Sequence, residues 1–122
     1  MYSRDTEIRH LTSADIYKLG QILDQTNSWK KLMRAIPKDI LNPDSSDQKS
    51  KYTNDHIRLV ENASIKQNRM FTEILFDEWG TSGKNRPTVG NLLELLVNAE
   101  LFRAADFVAD FFLNGIYLVC VN

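Results

Sequence analysis

Six times along this chain, apolar residues recur at the three- and four-residue spacing of one helix face. Ile16, Leu19 and Leu23 form the first stripe, behind Thr12 and Asp15 at capping-box spacing. Trp29, Leu32, Met33 and Ile36 form the second, which Ser28 is placed to cap and Pro37 to stop. Ile57 and Val60 mark a short third helix capped by Thr53, with Tyr52 where a hydrophobic staple packs. The fourth runs from about Asn68 to Trp79 on Phe71, Ile74, Leu75 and Trp79, and Gly80 and Gly83 break it. Pro87 and Thr88 open a fifth carrying Val89, Leu92, Leu93 and Leu96. Leu101, Ala104, Ala105, Val108, Phe111 and Phe112 make the sixth. No segment sustains strand-like alternation, so the pattern predicts an all-α six-helix bundle without a sheet.

Two stretches stand outside the pattern. Residues 42–51 (NPDSSDQKSK) hold no large apolar side chain and read as a mobile loop. Residues 115–122 (GIYLVCVN) contain six apolar residues in a row, far short of the roughly 20 needed to span a bilayer. Packing on the bundle, disorder, and association as an unpaired strand are all open for this tail. The domain proper is expected over residues 1–114.

Composition narrows the function. Of 122 residues, 43% are hydrophobic and 25% charged, with a net charge of −1, which suits a soluble globular domain and opposes a general nucleic-acid binder. The single cysteine, Cys120, cannot make an internal disulfide, and the N-terminus lacks a signal-peptide apolar region, so an intracellular protein is expected. Charge is uneven: residues 1–38 carry +3 and the remainder −4. Opposed patches of this kind suit docking onto related domains, though plain solvated faces would give the same pattern.

Catalytic signatures are missing from the pattern. His10 and His56 have no partner at metal-ligand spacing, so neither a metal nor another cofactor is expected. Gly80-Thr81-Ser82-Gly83-Lys84 lacks the spacing and the following Ser/Thr of a phosphate loop. Glu73, Asp77 and Glu78 lie away from the fourth stripe, where solvation leaves carboxylates ordinary. Asn62-Ala63-Ser64 is a glycosylation sequon only for a secreted chain. The notable cluster is basic: Lys30, Lys31 and Arg34 on the second helix, with Lys38 beyond it. Lys30 and Arg34 share a face at i, i+4, a patch suited to an acidic protein partner. Glu100, Asp106 and Asp110, interrupted by Arg103, form the type of surface that receives such a patch.

Several blocks resemble the death domains of the insect Toll-pathway adaptor Tube. They are Tyr2-Ser3-Arg4-Asp5-Thr6-Glu7-Ile8-Arg9, Asp15-Ile16-Tyr17-Lys18-Leu19, Trp29-Lys30-Lys31-Leu32-Met33, Asp77-Glu78-Trp79-Gly80-Thr81-Ser82-Gly83-Lys84 and Arg86-Pro87-Thr88-Val89-Gly90. Ile22-Leu23-Asp24, Ile36-Pro37-Lys38 and Ala99-Glu100-Leu101-Phe102-Arg103-Ala104-Ala105-Asp106-Phe107-Val108 complete the set. Residues 52–75 are also similar to the N-terminal death domain of the fourth interleukin-1-receptor-associated kinase. The resemblance implies a six-helix antiparallel bundle that works by homotypic binding and is not an enzyme. It implies two partners, the death domains of the Toll adaptor (the myeloid differentiation primary-response protein) and of the kinase Pelle, with self-association and recruitment from the cytoplasm to the plasma membrane. By position it implies contacts at Lys30, Lys31, Arg34, Arg58, Glu61, Glu73, Asp77, Lys84, Asn85, Arg86, Arg103 and Asp106. Gln25 stands where the family has an acidic residue, which moves an expected ion pair to Asp24. Residues 115–122 depart from the family's continuation, the segment by which Tube helps to hold Pelle.

Two other classes fit the residues. One is the regulatory death domain of a receptor-associated Ser/Thr kinase, which a downstream glycine-rich loop and catalytic Asp would reveal. The other is a small helical nucleic-acid binder using Lys30, Lys31 and Arg34, which salt-sensitive retention on heparin would reveal.

Overall fold

The computed structural model describes residues 2–41 and 49–114. A 3-10 turn at Ile8–His10 precedes α1 (Ser13–Gln25), α2 (Ser28–Ala35), α3 (Asn54–Gln67), α4 (Phe71–Thr81), α5 (Val89–Asn98) and α6 (Phe102–Phe107). The last helix widens into a π-helical stretch at Val108–Phe112. Among the described residues there is no strand, only isolated antiparallel bridges pairing Glu7 with Thr88 and Pro37 with Ser50. The tail 115–122 and residues 42–48 of the expected loop lie outside the described residues.

The apolar stripes meet in one core. Leu19 and Leu23 of α1, Trp29 and Leu32 of α2, Leu75 and Trp79 of α4, and Leu92 and Leu96 of α5 are all at most 2% exposed. Each such side chain contributes about 1.5–3 kcal/mol by leaving water. α1 packs along α4 and also touches α2 and α6; α4 reaches α3 and the 3-10 turn, and α5 lies on α6.

Local details depart from the sequence expectation for identifiable reasons. Thr12 does accept the Asp15 N–H at 3.2 Å, but the capping box closes through a third residue. The Tyr2 hydroxyl accepts the Thr12 N–H at 3.1 Å and donates to Asp15 Oδ2 at 2.5 Å, because the aspartate is too short to reach back alone. Ser28 is the first residue of α2, not its cap; Asn27 precedes it in the left-handed region at φ 57°. Asn68 ends α3 in that same region, so α4 starts three residues later than expected. α3 is not short but the longest helix at 14 residues, its second half being polar and therefore without a stripe. Thr53 begins it with a box in which its N–H donates to His56 Nδ1 at 2.9 Å.

Gly80 does not break α4. It sits inside the helix against the 3-10 turn, where a Cβ would make ordinary contact 3.4 Å from the Arg9 backbone nitrogen. Gly83, at φ +83°, makes the actual turn. Phe111, expected inward, is 67% exposed, while Phe112 is buried. The end of the expected loop is pinned: Lys38 N–H donates to Lys49 O at 3.0 Å and Lys51 N–H to Ile36 O at 2.8 Å.

Candidate protein-interaction surface

The burial of Trp29, Leu32 and Met33 turns the cations of α2 outward. Two of them reach α3. Lys30 Nζ lies 3.1 Å from Glu61 Oε2, and Arg34 Nε donates to Asn54 Oδ1 at 3.4 Å. Arg58 pairs with Asp55 one turn away on α3, and both are well exposed. Lys31 points to solvent with no partner among the described residues. The expected sites Lys30, Lys31, Arg34, Arg58 and Glu61 thus form one polar surface across α2 and α3. Of its ion pairs, Arg58–Asp55 is exposed and Lys30–Glu61 half-buried; an exposed pair is worth about 0–1 kcal/mol and yields readily to a partner's charges.

The acidic face of α4 is held differently. Arg69, in the turn before α4, donates from Nε to Glu73 Oε1 at 2.6 Å and from Nη2 to Asp77 Oδ2 at 2.5 Å. These bonds, Asp77's first and Glu73's second, raise the guanidinium pKa above its ordinary value. Sequence reasoning missed Arg69, although its i+4 and i+8 relation to the two carboxylates puts all three on one face. Asp24, expected in an ion pair, is instead taken up inside the fold. Its carboxylate accepts the backbone N–H groups of Phe71 and Thr72, at 2.9 and 3.1 Å, at the start of α4.

The remaining expected residues lie on two further surfaces. Lys84 and Asn85 line a groove against residues 37–40, and Arg86 Nη1 donates to Gly83 O at 2.6 Å. There the Lys51 ammonium sits 2.7 Å from Ser82 Oγ, and burial pushes its pKa down. Burial also raises the neighbouring Tyr52 hydroxyl to about 12, with Glu78 adding to the shift. Arg103 lines a mainly apolar groove of about 350 Å³ with Ile22, Leu101 and Phe102. Asp106 is exposed one turn further along α6. Phe102, 56% exposed at that groove, carried no sequence signal because its position falls off the α6 stripe. Among the described residues no three His, Cys, Asp or Glu groups gather closely enough to hold a metal ion. No helix among them is long and apolar enough to cross a membrane.

This body, a helical core with charged residues on several separate faces, can be placed by likeness. The model of the Tube death domain matches residues 2–116. The chain belongs to the Tube death-domain family. It is similar to Protein Tube of Drosophila melanogaster, 44% identical over 93% of this chain and 28% of that protein. Protein Tube of Drosophila virilis is 43% identical over 93% of this chain and 25% of its own length. The chain therefore spans about a quarter of these Tube relatives. Among solved structures, a chain of the complex between the death domains of Pelle and Tube superposes with a TM-score of 0.84 at 43% identity. The match covers 93% of this chain and 85% of that one. Tube is a death-domain adaptor family and not an enzyme family.

Proposed function

We propose that this domain is the docking module of an adaptor in Toll receptor signalling. It bridges the upstream Toll adaptor, the myeloid differentiation primary-response protein, to the kinase Pelle by homotypic death-domain contacts. One observation carries the reading: the 0.84 TM-score match to a chain of the Pelle and Tube death-domain complex. The surfaces agree with it. Lys31, Arg34 and Arg58 on α2 and α3, Lys84 to Arg86 after α4, and Arg103 with Asp106 on α6 are separate exposed contact candidates.

Separate faces matter because a contact that does not close on itself builds a stack. A stack gathers any attached kinase at high effective concentration. Individual exposed contacts are weak, so several must form together, and assembly rises steeply with concentration. In this reading the protein works in the cytoplasm and is drawn to the plasma membrane by an activated receptor.

Size-exclusion chromatography with light scattering tests it, using the domain alone and mixed with each partner's death domain. A defined complex with each, and one containing all three chains, is expected. Elution of every chain at its own mass in all mixtures at micromolar concentration overturns the proposal.

A further inference from the structure

Between residues 37–40, which follow α2, and the turn at residues 83–85, which follows α4, runs a groove of about 190 Å³. Lys38, Lys51 and Lys84 line it, with Trp79 in its wall and Asp39 as the carboxylate of the lining. No ion pair among the described residues engages any of the three ammonium groups. Lys51 is the built part. Its Nζ is fixed 2.7 Å from Ser82 Oγ and 5.7 Å from the centre of the Tyr52 ring. Gly83 closes the arrangement, since at φ +83° a Cβ would fall 3.1 Å from that same nitrogen. A side chain at this left-handed position would be strained and would crowd the ammonium.

We propose that this groove binds the phosphate of a phosphorylated serine or threonine presented by a protein segment. The charge fits. Arg86 and Glu78 both act on the Lys51 ammonium, so among the described residues four cations stand against Glu78 and Asp39, leaving +2. A phosphomonoester carries close to −2 at neutral pH. The donors fit as well: the Lys38, Lys51 and Lys84 ammonium groups and the Asn85 amide line one small volume, and a phosphate has three oxygens to accept from them. Burial already depresses the Lys51 pKa, and a bound dianion relieves that cost. Size decides the source. Sites for small molecules usually run to about 300–1,000 Å³, and 190 Å³ takes a phosphate on its side-chain stem rather than a nucleotide. The site lies apart from the α2 and α3 surface but shares Lys84 and Asn85 with the contact candidates after α4; the titration below uses the domain alone, so its outcome is read without either partner.

The test is an NMR titration of the domain with a glycine-flanked phosphoserine pentapeptide, the same peptide unphosphorylated, and inorganic phosphate. Saturable shifts centred on Lys51, Ser82, Gly83 and Lys84 are expected from the phosphopeptide, at least tenfold tighter than from either control. Lys51→Met should weaken binding tenfold or more, with Lys51→Arg retaining it. Lys84→Glu, at an exposed position that does not disturb folding, should weaken it as well. Equal binding of phosphorylated and unphosphorylated peptides overturns the site. So does undiminished binding by Lys84→Glu, and inorganic phosphate binding as tightly as the phosphopeptide overturns the assignment to a protein segment.

Discussion

Asp24, at the end of α1, is the N-terminal cap of α4, through Thr72. Its Oδ1 accepts both the Thr72 backbone N–H, at 3.1 Å, and the Thr72 hydroxyl, at 2.6 Å. Oδ2 takes the Phe71 N–H at 2.9 Å, so one carboxylate satisfies two of the unpaired donors of the helix start. Thr72 is fully buried, and its hydroxyl has no water to fall back on. Asp24→Ala should therefore cost more than a surface cap, about 2–3 kcal/mol, through the lost cap and the stranded hydroxyl. Asp24→Asn should recover part of that loss. Urea unfolding followed by circular dichroism measures both, and a loss under 0.5 kcal/mol for Asp24→Ala rules out the capping role.

Tyr2→Phe removes the hydroxyl that joins Thr12 to Asp15. The Tyr2 hydrogen bond is the largest influence holding the Asp15 pKa below its ordinary value. A carboxylate whose pKa is depressed by folding stabilises the native state above its unfolded pKa, and that stability is lost as pH falls through the folded value. The variant should lose about 1 kcal/mol at pH 7. Below the folded pKa of Asp15 the gap between variant and wild type should narrow to what the Thr12 N–H bond to the hydroxyl contributes, which does not titrate. Unfolding curves at pH 7 and at successively lower pH show this, and a gap that stays constant through acid removes Asp15 from the account.

Trp29→Phe should be milder than a usual aromatic truncation. Trp29 is fully buried and stacks on Phe71 with ring centres 4.7 Å apart. Its indole Nε1, however, is buried without a hydrogen-bond partner among the described residues. Phenylalanine leaves a cavity but removes that unpaired donor, so a net loss of about 1–2 kcal/mol is expected. Trp29→Ala, which removes the stack as well, should cost about 3–5 kcal/mol. Thermal denaturation of the two variants separates these cases; a loss of about 3 kcal/mol or more for Trp29→Phe, the size of a full aromatic truncation, means that the orphan N–H has no weight.

Arg34→Glu reverses a charge on an exposed helix position whose only side-chain bond among the described residues is the 3.4 Å contact to Asn54. Stability should change by no more than about 0.5 kcal/mol, and the helical circular dichroism spectrum should stay native. Capture of the Pelle or Toll-adaptor death domain in a pull-down should drop at least tenfold. Capture by the variant equal to wild type for both partners takes this face out of the proposed assembly.

The helices were legible in the sequence because burial writes itself as a period. Leu92, Leu93 and Leu96, or Trp29, Leu32 and Met33, can all be dry only on one face of a helix, so the spacing alone determined an all-α body and most of its core. Thr12, Thr53 and Thr88 marked three helix starts for the same local reason, a side-chain oxygen beside unpaired N–H groups. Tertiary structure decided whatever depends on a partner distant in sequence. Asp24 looked like a surface charge until the packing of α1 on α4 brought Thr72 to it. The Tyr2 hydroxyl enters the cap of α1 from ten residues away, and Lys51 meets Ser82 from thirty-one. A charged side chain states what it can bind but not what folding will place within 3 Å of it. The sequence therefore named the charges, and the packing of the bundle divided them into those consumed inside the fold and those left outside.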